Sequence, residues 1–126
     1  MPAVDTNVLV RLLTMDDPDQ TERAEALLRR GPLWVSTVVL VETVWVLTAV
    51  YAWNKEQLLA MLSTLADSRD FTVDEPLPVA AAVASFASSK ADFADCLALE
   101  LARAHDELPF ATFDGDAAKL PGAFEP

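Results

Sequence analysis

The sequence predicts an α/β fold in which four or five short parallel strands form a central sheet with helices on both faces. Short apolar segments alternate with longer segments whose apolar residues recur every three or four positions. The strand candidates are apolar throughout, which is typical of parallel strands buried on both faces. A length of 126 residues and the lack of a linker-like segment predict a single domain over residues 1–126.

The first quarter of the chain predicts one strand and two helices. Residues 2–4 are a short apolar run that ends at Asp5, and apolar side chains recur at helical spacing from Val8 onwards. Acids around Pro18 mark a turn, after which residues 21–30 carry apolar side chains on one helical face. A glycine and a proline then end this second helix.

The middle of the chain predicts a strand followed by two helices. Residues 33–36 form the strand, and a Ser-Thr pair at its end can cap an apolar helix over residues 38–51. Asn54 is a suitable cap for the next helix, which reaches Ala66. A buried helix explains the apolar stretch better than a membrane span, because Glu42 interrupts it and a span needs about 20 residues.

The last part of the chain predicts two strands, at residues 71–73 and 110–113, with two helices between them. Residues 78–88 are rich in alanine, whose small side chain allows close packing. Residues 92–105 carry apolar side chains on one stripe and end before a proline. A short edge strand is expected after Gly122.

The charge balance argues against an ordinary nucleic-acid-binding protein. With 20 Asp+Glu against 9 Lys+Arg, the formal net charge is -11, which repels a polyanion at long range. A cluster of acids that holds a divalent cation would replace this repulsion by a local attraction, because the cation attracts phosphate. The single cysteine, Cys96, cannot form an internal disulfide and no secretory signal is visible, so we expect a cytoplasmic protein with no membrane segment.

Two acids come directly after predicted strands, Asp5 after the first and Asp114 after the fourth. In open α/β sheets ligands bind beyond the carboxyl ends of the strands, so both acids are candidate site residues. Thr6, Asn7 and Thr112 supply supporting oxygen and amide groups beside them. Each acid also has a purely structural interpretation, as a helix cap for Asp5 and as part of a turn for Asp114.

Glu42 lies in the middle of a helix that is apolar almost all round. An ionised carboxylate buried there needs a partner, and no Lys or Arg occurs between Arg30 and Lys55. The carboxylate must then meet a cation, share a proton with another acid or reach solvent. An exposed edge or a salt bridge to a remote arginine is the structural alternative.

Asp92 and Asp95 have the spacing of a capping box at the start of the last helix. Asp95 shares its face with the small side chains of Ala98 and Ala102, which leave room for an ion. We therefore expect Asp95 to be a ligand and Asp92 to be the cap. Carboxylates without a Cys pair favour Mg²⁺ or Mn²⁺, which bind phosphate and activate water, over structural zinc.

Four segments carry these acids in order: residues 3–10 (AVDTNVLV), 36–42 (STVVLVE), 91–97 (ADFADCL) and 112–114 (TFD). Together they resemble the ordered motifs of PIN-domain VapC toxins, and the resemblance covers essentially the whole chain. It implies an α/β/α sandwich in which Mg²⁺ or Mn²⁺ is coordinated by four acids, Asp5, Glu42, Asp95 and Asp114.

The resemblance also implies endonucleolytic cleavage of RNA to 5′-phosphate and 3′-hydroxyl ends, by a homodimer that a cognate antitoxin protein inhibits. One departure concerns the residues after the last motif acid, where many relatives have a basic residue and this chain has Gly115 and Asp116. Asp116 is either an added ligand or a surface acid. Arg11 either binds RNA or the antitoxin, or is a solvated helix residue.

Two other functions stay open at this point. A Mg²⁺-dependent phosphatase would use Asp5 as a phosphorylated nucleophile, but such enzymes usually have a second aspartate two residues on, where this chain has Asn7. A catalytically silent PIN-like module would only bind a protein partner. We expect no catalytic role for His105 or Cys96, and we expect the three tryptophans in the core or in dimer contacts.

Overall fold

The computed structural model describes residues 1–126 and consists of six α-helices and four short strands. In chain order the elements are α1 (Thr6–Thr14), α2 (Pro18–Leu28), β1 (Leu33–Val35), α3 (Thr37–Ala49), α4 (Lys55–Asp67), β2 (Phe71–Val73), α5 (Pro76–Ser88), α6 (Phe93–Ala104), β3 (Phe110–Ala111), a 3-10 turn (Ala117–Lys119) and β4 (Ala123–Phe124). The α/β class is confirmed. The chain divides into two compact units, an N-terminal unit (Met1–Asp74) and a C-terminal unit (Glu75–Pro126).

The strands of the N-terminal unit pair in parallel, as predicted. β1 lies beside β2, with Leu33 opposite Phe71 at the start of the ladder. The first predicted strand is reduced to a single parallel bridge between Ala3 and Trp34. One central sheet of four or five strands, with helical layers on both faces, stays a prediction.

The strands of the C-terminal unit, β3 and β4, also pair in parallel. The strand expected over residues 110–113 pairs only at its first two residues, although the Thr112 N–H still donates to the Phe124 carbonyl at 3.0 Å. The edge strand predicted after Gly122 is confirmed as β4. Thr112 and the acidic turn come directly after β3 in the chain.

Side-chain caps explain where the helices of the N-terminal unit begin. Ser36 Oγ accepts a backbone N–H of the first turn of α3 at 3.2 Å. Asn54 and Gln57 form a reciprocal capping box at α4. Both caps were predicted. α2 begins earlier than predicted because Asp17 caps it and Pro18 fits its first position.

Buried apolar side chains form the interior of each unit. In the N-terminal unit the most completely buried are Leu9, Leu33, Val35, Leu40 and Leu47. In the C-terminal unit α5 packs on α6, where the rings of Phe86 and Phe93 meet edge to face with centroids 5.9 Å apart. None of the helices is long and apolar enough to cross a membrane.

Candidate active site

Asp5 is the N-cap of α1. Its Oδ1 accepts the Thr6 N–H at 2.7 Å, so the helix-cap interpretation is correct as local structure. The side chain is exposed and uses only one of its two oxygens in this contact, which leaves the other for a ligand. Capping and ligand binding are therefore compatible in this residue.

The Thr6 hydroxyl is buried and has no hydrogen-bond partner. The residue is only 2% exposed, and its Oγ1 is the one buried side-chain oxygen or nitrogen without a partner. A buried polar atom left unsatisfied costs about 1–3 kcal/mol, so such groups are rare in folded proteins. A water or ion held beside Asp5 would satisfy it.

Glu42 is exposed, so the argument from its burial is wrong. It lies on a face of α3 that the N-terminal unit leaves open, between Val38 (72% exposed) and Trp45 (65% exposed). The opposite face, which includes Leu40, is buried. Of the two locations expected for Trp45, its exposure excludes the core, and a dimer contact stays a prediction. Glu42 reaches solvent, which was the structural alternative.

Asp95 lies half-buried in the first turn of α6. Burial raises the pKa of its carboxyl, and the carboxylates of Asp114 and Asp92 raise that pKa further. The C-terminal unit therefore brings two of the predicted acids, Asp92 and Asp114, within electrostatic reach of Asp95. A bound cation would relieve this repulsion.

Asp114 is held by the backbone of the turn that follows β3. Its Oδ1 accepts the N–H groups of Asp116 at 3.1 Å and Ala117 at 2.9 Å, while its own N–H donates to Thr112 Oγ1 at 3.0 Å. The turn interpretation is thus correct as local structure, and Thr112 supports Asp114 as expected. The half-buried Asp116 touches Asp114 through its backbone N–H.

Asp92 occupies the N-cap position of α6 but makes no capping hydrogen bond with its side chain. The expected capping box is therefore wrong, although the helix begins where it was predicted. The exposed Asp92 carboxylate instead raises the pKa of Asp95.

Arg11 is not the loosely solvated residue that its position suggested. It donates to Gln20 Oε1 at 2.7 Å and to Asp16 Oδ1 at 3.2 Å, and the Tyr51 hydroxyl lies within hydrogen-bond distance of both Arg11 and Asp16. Hydrogen bonds from Tyr51 and Thr14 lower the pKa of Asp16. The sequence does not reveal this network, because Tyr51 lies 35 positions from Asp16 along the chain.

Three further residues singled out in the sequence are His105, Cys96 and Asn7. His105 is exposed at the end of α6, with its Nε2 4.0 Å from a carboxylate oxygen of Glu75. Cys96 is completely buried. Asn7 is exposed on the first turn of α1, two positions after Asp5.

The donor set fits a hard divalent cation. The structure contains no group of three or more His, Cys, Asp or Glu side chains that could hold a metal ion. Mg²⁺ does not require one, because it keeps several waters and is usually held by one or two carboxylates. Asp95 and Asp114 are the candidate pair, since the charge of Asp114 acts on the Asp95 carboxyl.

Helices that alternate with short parallel strands define an α/β protein, and acids lie at the ends of several of these elements. The PIN domain family profile matches residues 3–123, so the chain belongs to the PIN domain family. PIN domains are generally metal-dependent nucleases, which places this chain in the nuclease class. No curated protein and no solved structure matches the chain.

Proposed function

We propose that the chain is a metal-dependent endoribonuclease, the toxin of a VapBC-type toxin–antitoxin pair, that acts in the cytoplasm as a single PIN domain. It hydrolyses RNA phosphodiesters to 5′-phosphate and 3′-hydroxyl ends. The proposed catalytic carboxylates are those of Asp5, Glu42, Asp95 and Asp114. The observation that carries the proposal is that the C-terminal unit places Asp95 and Asp114 within electrostatic reach of each other, where burial and the Asp114 carboxylate raise the pKa of Asp95.

Mg²⁺ or Mn²⁺ is the proposed cofactor, with Asp95 and Asp114 as its principal ligands and Asp5 and Glu42 as further oxygen donors. When bound, the cation neutralises the charge of the scissile phosphate and makes water more acidic. Asp114 is fixed for this role by the N–H groups of the turn, which bind one of its two carboxylate oxygens. One of the four carboxylates would help to deprotonate the attacking water.

The net charge of -11 is compatible with this function if cations neutralise the acids at the site. Without a cation, the carboxylates would repel the RNA backbone from the residues that must act on it. The proposal therefore requires that RNA cleavage at these acids depends on the divalent cation.

A homodimer and a cognate antitoxin are the proposed protein partners. The exposed face of α3 supports a protein partner, since large apolar side chains exposed together are typical of interfaces. Val38 and Trp45 lie about one turn on either side of Glu42. An antitoxin that buries these two side chains would also cover the Glu42 carboxylate, which would couple its binding to inhibition.

Cleavage of total RNA by the purified chain, freed of co-purifying protein, tests the proposed function. The reactions contain Mn²⁺ or Mg²⁺, or EDTA, and Asp5→Asn is compared with Asp67→Asn, which removes an exposed acid at the end of α4. We expect discrete fragments with wild type and Asp67→Asn in the presence of the cation, and none with EDTA or Asp5→Asn. Lack of cleavage of every RNA class by folded wild type with the cation present would favour the silent binding module.

A further inference from the structure

A groove between α1 and α2 has the opposite charge to the rest of the protein. It has a volume of about 520 Å³ and lies entirely within the N-terminal unit. Three of the chain's nine basic residues line it, whereas none of its 20 acids does. The basic residues are Arg11, Arg23 and Arg30, and the amides of Asn7 and Gln20 add neutral donors.

We propose that this groove binds the phosphate backbone of single-stranded RNA and holds the strand next to Asp5. The inference rests on the proposed nuclease function, to which it adds the place where substrate is held. Arginine guanidinium groups and side-chain amides are donors that pair with phosphate oxygens. A protein with a net charge of -11 needs such a local basic surface to retain RNA.

Two of the arginines are available to an anionic ligand. Arg30 forms no salt bridge, and Arg23 forms only an exposed one with Asp19 at 3.6 Å, a kind of pair that is weak in water. Arg23 lies within α2, and Arg30 lies two residues beyond the end of α2, seven positions further along the chain. They are therefore placed to contact different phosphates of one strand.

The two ends of the groove differ in how far the charge of their arginines is compensated. At one end Arg11 is fixed by Gln20 and Asp16, so its charge there is partly compensated. The other end is lined by Asn7 and Arg30. Asn7 is two positions from Asp5, so the less compensated end of the groove is the end next to a proposed catalytic acid.

Binding of a fluorescein-labelled single-stranded RNA of about 16 nucleotides tests the proposal by fluorescence anisotropy over a series of salt concentrations. EDTA is present throughout, so that cleavage does not contribute. The double variant R23A/R30A is compared with R29A/R69A, which removes two exposed arginines that do not line the groove. The change in net charge is the same in both.

If each groove arginine contacts one phosphate, R23A/R30A should reduce the salt slope of log K by about 1.4, or roughly 25-fold in affinity at about 0.1 M salt. R29A/R69A should bind nearly as wild type does. Equal losses in both variants would overturn the proposal, since only net charge would then matter. Tighter, groove-dependent binding of polyglutamate than of RNA would also overturn it, in favour of an acidic protein partner.

The two proposals fail separately. Metal-dependent RNA cleavage by wild type, together with full RNA binding by R23A/R30A, would contradict RNA binding in the groove but support the nuclease function. If wild type binds RNA through the groove but does not cleave it, RNA binding in the groove is supported and the proposed catalytic function is contradicted.

Discussion

Burial of Asp95 and the nearby carboxylate of Asp114 together raise the pKa of the Asp95 carboxyl. The two residues come from different elements, the first turn of α6 and the turn after β3, which the C-terminal unit brings together. Their juxtaposition costs stability when both are ionised. A cation bound there would offset this cost, which gives the pair measurable properties.

The first prediction concerns the pH dependence of stability in the metal-free protein. Well below the ordinary aspartate pKa of 3.8, Asp95 is protonated in both the folded and the unfolded chain. As the pH rises, the unfolded chain releases this proton first, so the folded state loses stability until its own raised pKa is passed. Asp95→Asn avoids this loss, because asparagine never ionises.

We therefore expect Asp95→Asn to be more stable than wild type at neutral pH, with an advantage that shrinks as the pH falls to about 3. Urea unfolding at several pH values with EDTA measures this difference. Asp67→Asn, at an exposed position, controls for the general effect of removing an acid. An Asp95→Asn variant less stable than wild type at neutral pH would contradict the electrostatic account.

The second prediction concerns the response to metal. Mn²⁺ should raise the melting temperature of wild type, because a ligand that binds only the folded state stabilises it, by about 2.7 kcal/mol at 100 times its Kd. Asp95→Asn and Asp114→Asn should respond much less. Differential scanning fluorimetry with and without Mn²⁺ measures the shifts. Equal shifts in wild type and both variants would place the cation elsewhere.

The third prediction concerns Thr112, whose hydroxyl accepts the Asp114 N–H at 3.0 Å. Thr112→Val removes this acceptor and should cost about 0.5–1.5 kcal/mol of unfolding free energy. It should also lower the rate of RNA cleavage, because Asp114 is less firmly placed, and Thr112→Ser should restore both. Thr72→Val, at an exposed position in β2, is the matched control. An unchanged cleavage rate in Thr112→Val would contradict the supporting role of Thr112 at the site.

The fourth prediction separates the two faces of α3. Leu40→Ala should destabilise the protein by about 2–5 kcal/mol, because it leaves a cavity at a buried position. Trp45→Ser on the open face should change stability by no more than about 0.5 kcal/mol. Urea denaturation measures both. A loss in Trp45→Ser as large as that in Leu40→Ala would show that this face is covered in solution.

Much of the local structure is predictable from the sequence, because short-range chemistry determines it. Ser36 and Asn54 cap the helices that they were expected to cap, and the turn residues after β3 form a turn. The strand order along the chain follows from apolar runs. Asp5 and Asp114 each accept backbone N–H groups at the start of a helical segment, as their positions next to Thr6 and Gly115 suggest.

The remaining features depend on tertiary packing, which one helix or strand does not encode. The sequence of α3 is apolar on every side, so its pattern could not reveal that Glu42 and Trp45 face solvent. The Arg11–Asp16–Tyr51 network joins residues that are distant along the chain. The basic groove has only a weak signal in the sequence, the spacing of Arg23 and Arg30 by seven positions.

The central claim, that four carboxylates serve one metal-dependent cleavage reaction, is tested most directly by single-turnover cleavage of one defined RNA. The variants are Asp5→Asn, Glu42→Gln, Asp95→Asn and Asp114→Asn, with Asp67→Asn as the control and circular dichroism to confirm that each is folded. We expect each of the four to slow Mn²⁺-dependent cleavage by about 100-fold or more, while Asp67→Asn cleaves as wild type does. Wild-type rates in all four folded variants would contradict the assignment.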